Sequence, residues 1–456
     1  MFPAMHEVII LAAGEGKRMN SSRPKVLQPV GGRPMLRHLV ETVAAFEPKG
    51  IHVVVGFGAG QVEAALAGSG CRFVEQAERL GTGHAAAQAL PAISPDARVL
   101  ILPGDMPLIR AETLQALLQS PADLVVLSFI AGDPTGYGRI LRDEQGQVYA
   151  IREHRDATEA ERAVREVNSG VMCARAGDFA AWLDRVGADN AQGEYYLTDC
   201  IALAVADGRS VAAVKALQPD ELLGANDRSQ LAALETVYQV RARQALFAQG
   251  VTLLDPATVQ VRALVQAGRD VIIDAGVVLE GDVKLGDDVR LGVGAVLRDC
   301  DLAAGTEVKP YSVLEGVRTT GACQLGPFAR LRPGTVLAAG VKIGNFVETK
   351  NAHFDRGAKA SHLSYIGDAE VGSQANIGAG TITCNYDGVN KHRTVIGPEA
   401  FIGSNTALVA PVTVGEGGTI GAGSVISQDA PAGQLTVSRA RQRSIAGWKR
   451  PTRQEK

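Results

Sequence analysis

Two hydrophobic patterns divide the chain. Over roughly the first 225 residues, short apolar runs alternate with helically spaced segments, as a mostly parallel, Rossmann-like α/β sheet requires. His6 to Ala12, Ile51 to Val55, Val99 to Leu102 and Leu124 to Phe129 read as strands, and Met35 to Phe46 and Gln192 to Val205 as helices. Asn226 or Asp227 caps a further helix running to about Gln249, with Leu231, Leu234, Tyr238 and Ala245 on one side and Gly250 at its C-cap. From Val371 to about Val425 the period is six: VGSQAN, IGAGTI, then, after an interruption, IGPEAF, IGSNTA, LVAPVT, VGEGGT, IGAGSV. Leu279, Leu285, Leu291 and Leu297 keep the same count, with Val283, Val289 and Ala295 two positions before the next lead. That period predicts a left-handed parallel β-helix from about Val251 to about Gln434, its aliphatic leads pointing inward at each coil. The expected domains are 1–225, a linker helix 226–250, and 251–456, the last closing in a basic tail.

Composition adds exclusions. Hydrophobic content of 46%, charged content of 21% and a net charge of -3 describe an ordinary globular protein and do not fit a nucleic-acid partner. Six scattered cysteines without a CxxC pair fit reduced thiols better than disulfides or a zinc site, and point to the cytoplasm. No stretch approaches membrane-spanning length, and Val8 to Ala13 is too short for a signal peptide.

The loop LAAGEGKRM, Leu11 to Met19, is expected between a strand and a helix, where backbone N–H groups and a helix dipole favour phosphate. It lacks the GK[ST] of a Walker A loop, and Met19 stands where a dinucleotide fingerprint has its third glycine, which disfavours a dinucleotide-dependent oxidoreductase. Pro24-Lys25 follows in SSRPKVLQPVGGRPM, then Glu75-Gln76, LGTGH over 80–84, and Asp105 in LPGDMPL just past a strand end, where open α/β sheets bind ligands. Taken singly, Arg18 and Lys25 read equally as solvated cations and Asp105 as a turn cap. Gly138 in TGYGRI, Glu153 in IREHRDA and Asn168 in EVNSG are individually weak as well.

In this order, these strings resemble the sugar-nucleotide pyrophosphorylase family. The resemblance implies that Leu11, Ala12, Ala13 and Gly14 hold a nucleotide whose phosphates Arg18 and Lys25 neutralise during catalysis. Gln76, Gly81 and Thr82 would read uracil, and Gly138, Glu153 and Asn168 would bind the sugar. Asp105, beside Gly104, and Asn226 would ligate Mg²⁺. Pro103 stands where the family often has Tyr. In the implied reaction a sugar-1-phosphate oxygen attacks the α-phosphorus of UTP and pyrophosphate leaves, with no side-chain nucleophile.

In the C-terminal half, Ile377 and Ile396 are nineteen residues apart rather than eighteen, and Cys384 to Lys391 is read as the extra loop. Upstream lies His362, in SHLSYIGD. An imidazole titrates near ~6.5 and suits proton removal at neutral pH, although a lone His is more often structural. With NYDG following, the segment resembles hexapeptide-repeat acyltransferases, whose His acts as a general base at a cleft between subunits.

About residues 6 to 448 together are similar to a family of bacterial bifunctional enzymes that carry both activities. That similarity implies acetyl transfer from acetyl-CoA to glucosamine-1-phosphate, then uridylyl transfer from UTP, giving UDP-N-acetylglucosamine. Arg332, Lys350, Tyr365, Asn376 and Lys391 would bind the amino-sugar phosphate, and His362 would take the proton, with Glu348 as an orienting carboxylate. Ala379, Asn385, Tyr386, Ser404, Ala422 and Arg439 would hold acetyl-CoA, Ser404 beside the oxyanion. A homotrimer with small-molecule substrates, and no membrane or nucleic-acid partner, is implied. Two rivals remain: a monofunctional nucleotidyltransferase whose β-helix only oligomerises, and a non-catalytic β-helical interaction protein. On spacing alone, Ala379, Ser404 and Ala422 read equally as small corner residues.

Overall fold

The computed structural model describes residues 6–453, without the side chain of residue 263. The ends of the two expected domain ranges, 1–5 and 454–456, lie outside it. The chain divides into two compact units between Val240 and Arg241, inside the helix Arg228–Ala248. No helix among the described residues is long and apolar enough to cross a membrane.

The first unit is built on a sheet whose main path runs Val211–Lys215, Leu124–Ile130, Glu166–Arg175, Arg98–Pro103, His6–Leu11, Ile51–Val55, Arg72–Glu75. Neighbours on this path are parallel, except that Glu166–Arg175 is antiparallel to both strands beside it. The central strands are covered on both faces, which is why they read as unbroken apolar runs. Val8, Ile10, Val53 and Leu100 fill one core, while Ile9, Val54, Val99 and Ile101 fill a second. Arg98–Pro103 and His6–Leu11 end side by side, so the loops beginning at Ala12 and Gly104 meet; Gly104 N–H donates to the Leu11 carbonyl at 2.9 Å.

Three expectations are corrected here. The Gly-rich loop is followed by a three-residue 3-10 turn, Lys17–Met19, not a helix, so no helix dipole acts there. Residues 192–198 are irregular and the helix is only Asp199–Ala206. Backbone bonds to another loop take precedence: Tyr195 N–H donates to Leu80 O and Gly83 N–H to Tyr195 O, both at 2.8 Å. On the helix Arg228–Ala248, Leu234 is buried as expected, but Ala245 is exposed and Leu246 is buried in its place. Its cap is Asp227, whose Oδ1 accepts from Gln230 N–H, leaving the Asn226 side chain free for another contact.

The second unit is a left-handed parallel β-helix. Its eleven- and fifteen-stranded sheets contain only parallel pairs among their registered strands. Ile273, Leu291, Val308, Leu325, Ile343, Ala360, Ile377, Ile402 and Ile420 stack one per coil. One buried cluster runs from Leu246 to Ala430. The last strand is Leu435–Thr436, just beyond the expected end. The irregular coil is longer than the spacing implied: Ile377 pairs with Ile402, so the whole segment 385–391 is looped out, far more than one extra residue.

Candidate active sites

In the first unit a cavity of about 380 Å³ opens at the strand ends. Leu11, Ala12, Ala13, Gly14, Lys25, Gln76, Gly81, Thr82, Asp105, Glu153 and Asn168 line it, so eleven separately placed residues converge as expected. Gly81 has φ +114, and a Cβ there would stand 2.6 Å from Tyr195 O; only glycine fits. Gln76 donates through Nε2 to Gly81 O at 3.2 Å and meets His84 Nδ1 at 3.0 Å. Its donors are used, and what it offers a ligand is the acceptor Oε1. Glu153 is partly buried; burial pushes its carboxyl above the usual range, countered by the Thr198 hydroxyl and reinforced by Asp199 and Asp156.

Lys25 Nζ donates to Asp105 Oδ2 at 2.6 Å and to Asn226 Oδ1 at 3.0 Å. An anionic and a neutral oxygen, 80 and 201 residues from Lys25, thus already share one cation. Among the described residues no three His, Cys, Asp or Glu side chains gather as a metal site.

Four expected residues lie outside the cavity lining. Gly104 and Gly138 act from behind it: Gly138 O accepts from Asn168 N–H at 2.8 Å, and its missing side chain leaves room for Glu153. Asn226 acts through Lys25. Arg18 stands exposed on the 3-10 turn. Sequence reasoning missed Arg79, Thr198 and Met172, which line the cavity, and His84 behind Gln76. His84 was within the quoted LGTGH string; the other three belong to no motif.

In the second unit, the strand registers build two columns. Arg332 lies over Lys350, and Lys350 pairs with Gly367. With no side chain at 367, Tyr365 and Asn385 close in: a Cβ there would meet Tyr365 Oη at 2.4 Å and Asn385 Nδ2 at 2.9 Å. The loop 385–391 folds back through Tyr386 and Lys391, and Asp387 fastens it by accepting from Val389 N–H, Asn390 N–H and His392 Nε2. Lys391 thereby meets Lys350. The Lys391 amine, with Arg332 adding its charge, holds Lys350 below the usual lysine range. Among the described residues Glu348 pairs with Arg332, at 2.8 Å, and Asp368 adds a second, weaker counter-charge at Lys350. Three crowded cations describe an anion site.

The second column is a corner. Asn345 pairs with His362, and the stacking of Ala360, Ile377, Ile402 and Ile420 places Ala379, Ser404 and Ala422 at the same corner in successive coils. His362 is exposed, and its Nδ1 donates to Asn345 Oδ1 at 2.7 Å, leaving Nε2 as the basic nitrogen. The expectation for Glu348 is therefore corrected: its partner is Arg332, and Asn345 orients the imidazole. Nothing in the sequence distinguishes Asn345 until the coils are stacked. Arg439 Nη1 donates to Ala422 O at 2.8 Å, bringing the tail to the end of this column. Asn376 lies one strand on from Lys359 and His362, half-buried.

Comparisons with known proteins agree in both halves. A MobA-like NTP transferase domain matches residues 8–168, and bacterial transferase hexapeptide repeats match 393–428. The chain is 57% identical over 98% of both lengths to the bifunctional protein GlmU of Xanthomonas euvesicatoria pv. vesicatoria. It is 56% identical to that of Stutzerimonas stutzeri over 98% of this chain and 99% of the relative. To that of Azotobacter vinelandii it is 57% identical over 99% of both.

Proposed function

The chain belongs to the family of the bifunctional protein GlmU, and from that premise we propose how its two units divide the synthesis of UDP-N-acetylglucosamine. The C-terminal unit transfers acetyl from acetyl-CoA to the amine of glucosamine-1-phosphate. The N-terminal unit then joins the product to the uridylyl group of UTP and releases pyrophosphate. A monofunctional transferase with a scaffold β-helix leaves the second unit's cation cluster and corner column unexplained.

In the first reaction, Arg332, Lys350 and Lys391 receive the sugar phosphate, with Tyr365 and Asn376 completing the sugar site. The amine attacks the thioester carbonyl carbon, His362 Nε2 takes the ammonium proton, and the carbon–sulfur bond breaks to free CoA. Ala379, Ser404 and Ala422 sit at successive coil steps of about 4.8 Å each above His362. This small-residue corner accepts an extended pantetheine arm, Ser404 lies beside the oxyanion, Asn385 and Tyr386 flank the thioester, and Arg439 meets a CoA phosphate.

In the second reaction, Gln76 Oε1 accepts from the uracil N3–H, with the Gly81–Thr82 backbone alongside. Glu153 and Asn168 bind the sugar, and Lys25 and Arg18 neutralise phosphate charge. A phosphate oxygen of the sugar attacks the α-phosphorus as its bond to the bridging oxygen of pyrophosphate breaks. Asp105 and Asn226 would hold Mg²⁺; that they already share an ammonium supports a cation at the pair. Mg²⁺ held there would supply further neutralisation of the phosphates.

The single observation that carries the bifunctional reading is the His362–Asn345 pair at the foot of the corner column, in a unit separate from the nucleotide cavity. Exposed Tyr311, Phe328, Phe346 and Leu363 occupy the next corner position, the first three rings stacked at 5.4 and 5.5 Å. Such an apolar edge supports a homotrimer in which neighbouring chains complete the acetyl site. UTP and acetyl-CoA as co-substrates place the enzyme in the cytoplasm, in accord with its free thiols.

The test supplies glucosamine-1-phosphate, acetyl-CoA, UTP and Mg²⁺ and follows thiol and pyrophosphate separately. Both products, with pyrophosphate dependent on acetyl-CoA, are expected. Pyrophosphate from N-acetylglucosamine-1-phosphate and UTP without any thiol release would return the β-helix to a scaffold.

A further inference from the structure

The place for a metal in the nucleotide cavity is held by a side chain that the reaction needs elsewhere. Lys25 reaches Asp105 and Asn226 at 2.6 and 3.0 Å, and the Lys25 and Asp105 side chains are only 17% and 13% exposed. The stem of Lys25 is constrained. It begins a 3-10 turn after Pro24, and Gly16, at φ +67, packs so closely that a Cβ would lie 2.6 Å from Lys25 Cβ. The ammonium end, beyond several rotatable bonds, is the part that can move.

A magnesium ion sits about 2.1 Å from its oxygen ligands. An ammonium hydrogen-bonded to the same two oxygens would stand against it at a separation where two positive charges repel strongly in a part-buried site. The two cations therefore exclude each other. We infer that Lys25 is the resident cation of the nucleotide-free enzyme, and that metal entry displaces its ammonium from Asp105 and Asn226 toward the phosphates.

The inference rests on the metal role proposed for Asp105 and Asn226 and adds a coupling to it. Metal alone must break the Lys25–Asp105 pair and leave the ammonium without its anionic partner. A nucleotide triphosphate removes that penalty, because its phosphates give the released ammonium new acceptors. Metal and nucleotide thus favour each other's binding through Lys25, and the free site is guarded against adventitious divalent ions.

The test is Mn²⁺ titration of the full-length protein without nucleotide, reading unbound Mn²⁺ by electron paramagnetic resonance. Lys25→Met is expected to bind at least about tenfold more tightly than the parent, within the usual range of coupling between sites. Added UDP should tighten Mn²⁺ binding in the parent and do so less in Lys25→Met. Lys25→Ala serves as a second variant, and near-ultraviolet circular dichroism checks that each is folded. The gain should vanish in Lys25→Met/Asp105→Asn. No gain in either folded Lys25 variant, with binding still weakened by Asp105→Asn in the parent, overturns the displacement and leaves the metal site standing. Mn²⁺ binding indifferent to Asp105→Asn in every form removes the metal reading itself.

Discussion

At the scale of residues, the least visible functional group is Asn345. His362 could be chosen from its string, but its partner lies seventeen residues earlier and meets it only because consecutive coils stack in register. A carboxylate at Glu348 looked the better partner by chemical type; the Arg332 guanidinium, 2.8 Å away, engages it instead. Asn345 accepts from Nδ1 and so selects the tautomer with a basic Nε2. Asn345→Ala should lower kcat for acetyl transfer by about 10- to 100-fold, part of the 10²–10⁴ that a positioned base contributes. Asn345→Asp keeps the acceptor but adds a negative charge, which favours the imidazolium. The base proposed at His362 must be neutral to work, so the acidic limb of the kcat/KM profile should move to higher pH. An unmoved limb in Asn345→Asp, or an unchanged rate in Asn345→Ala, would show that the contact does not tune the base. Gly81 is the opposite case. Its place in LGTGH was legible, and its positive φ and the Tyr195 carbonyl against it give the physical reason.

At the scale of elements, periodic segments were legible because burial imposes the period directly. Unbroken apolar strands and a six-residue repeat each leave a pattern that one sequence carries. What failed were places where a distant backbone takes over. Within residues 192–198, Tyr195 gives its N–H to Leu80 and its carbonyl to Gly83 instead of to a helix. The loop itself was legible as 384–391, but the register across it was not: the aliphatic leads on either side nearly resume the count, and only the pairing of Ile377 with Ile402 rather than Ile396 shows how far the coil is displaced. The same stacking makes the β-helix sensitive at each coil. Ile343, 1% exposed, fills the coil whose strand ends at Asn345. Ile343→Ala should cost about 2–5 kcal/mol. Because each coil rests only on its neighbours, acetyl transfer should fail at a lower urea concentration than in the parent, while uridylyl transfer keeps its own midpoint. Coincident loss of both activities would mean that the two units unfold together.

At the scale of the whole molecule, the two candidate sites share no residue. The nucleotide cavity draws on residues 11–198 and Asn226, whereas the cation cluster and corner column draw on 332–439. Each unit has its own buried core, and the dividing line crosses a single helix. The two half-reactions are therefore expected to run independently, linked by N-acetylglucosamine-1-phosphate passing through solution. Asp105→Ala removes the carboxylate paired with Lys25 and should abolish uridylyl transfer while thiol release from acetyl-CoA continues at the parent rate. His362→Ala should do the reverse, and supplied N-acetylglucosamine-1-phosphate should then restore pyrophosphate release in full. Mixing the two variants should rebuild the complete reaction with a lag while the intermediate accumulates. A mixture that stays inactive, although each variant retains its remaining half-reaction, would require the intermediate to pass within one assembly, and two sites acting only through solution would then be the wrong description.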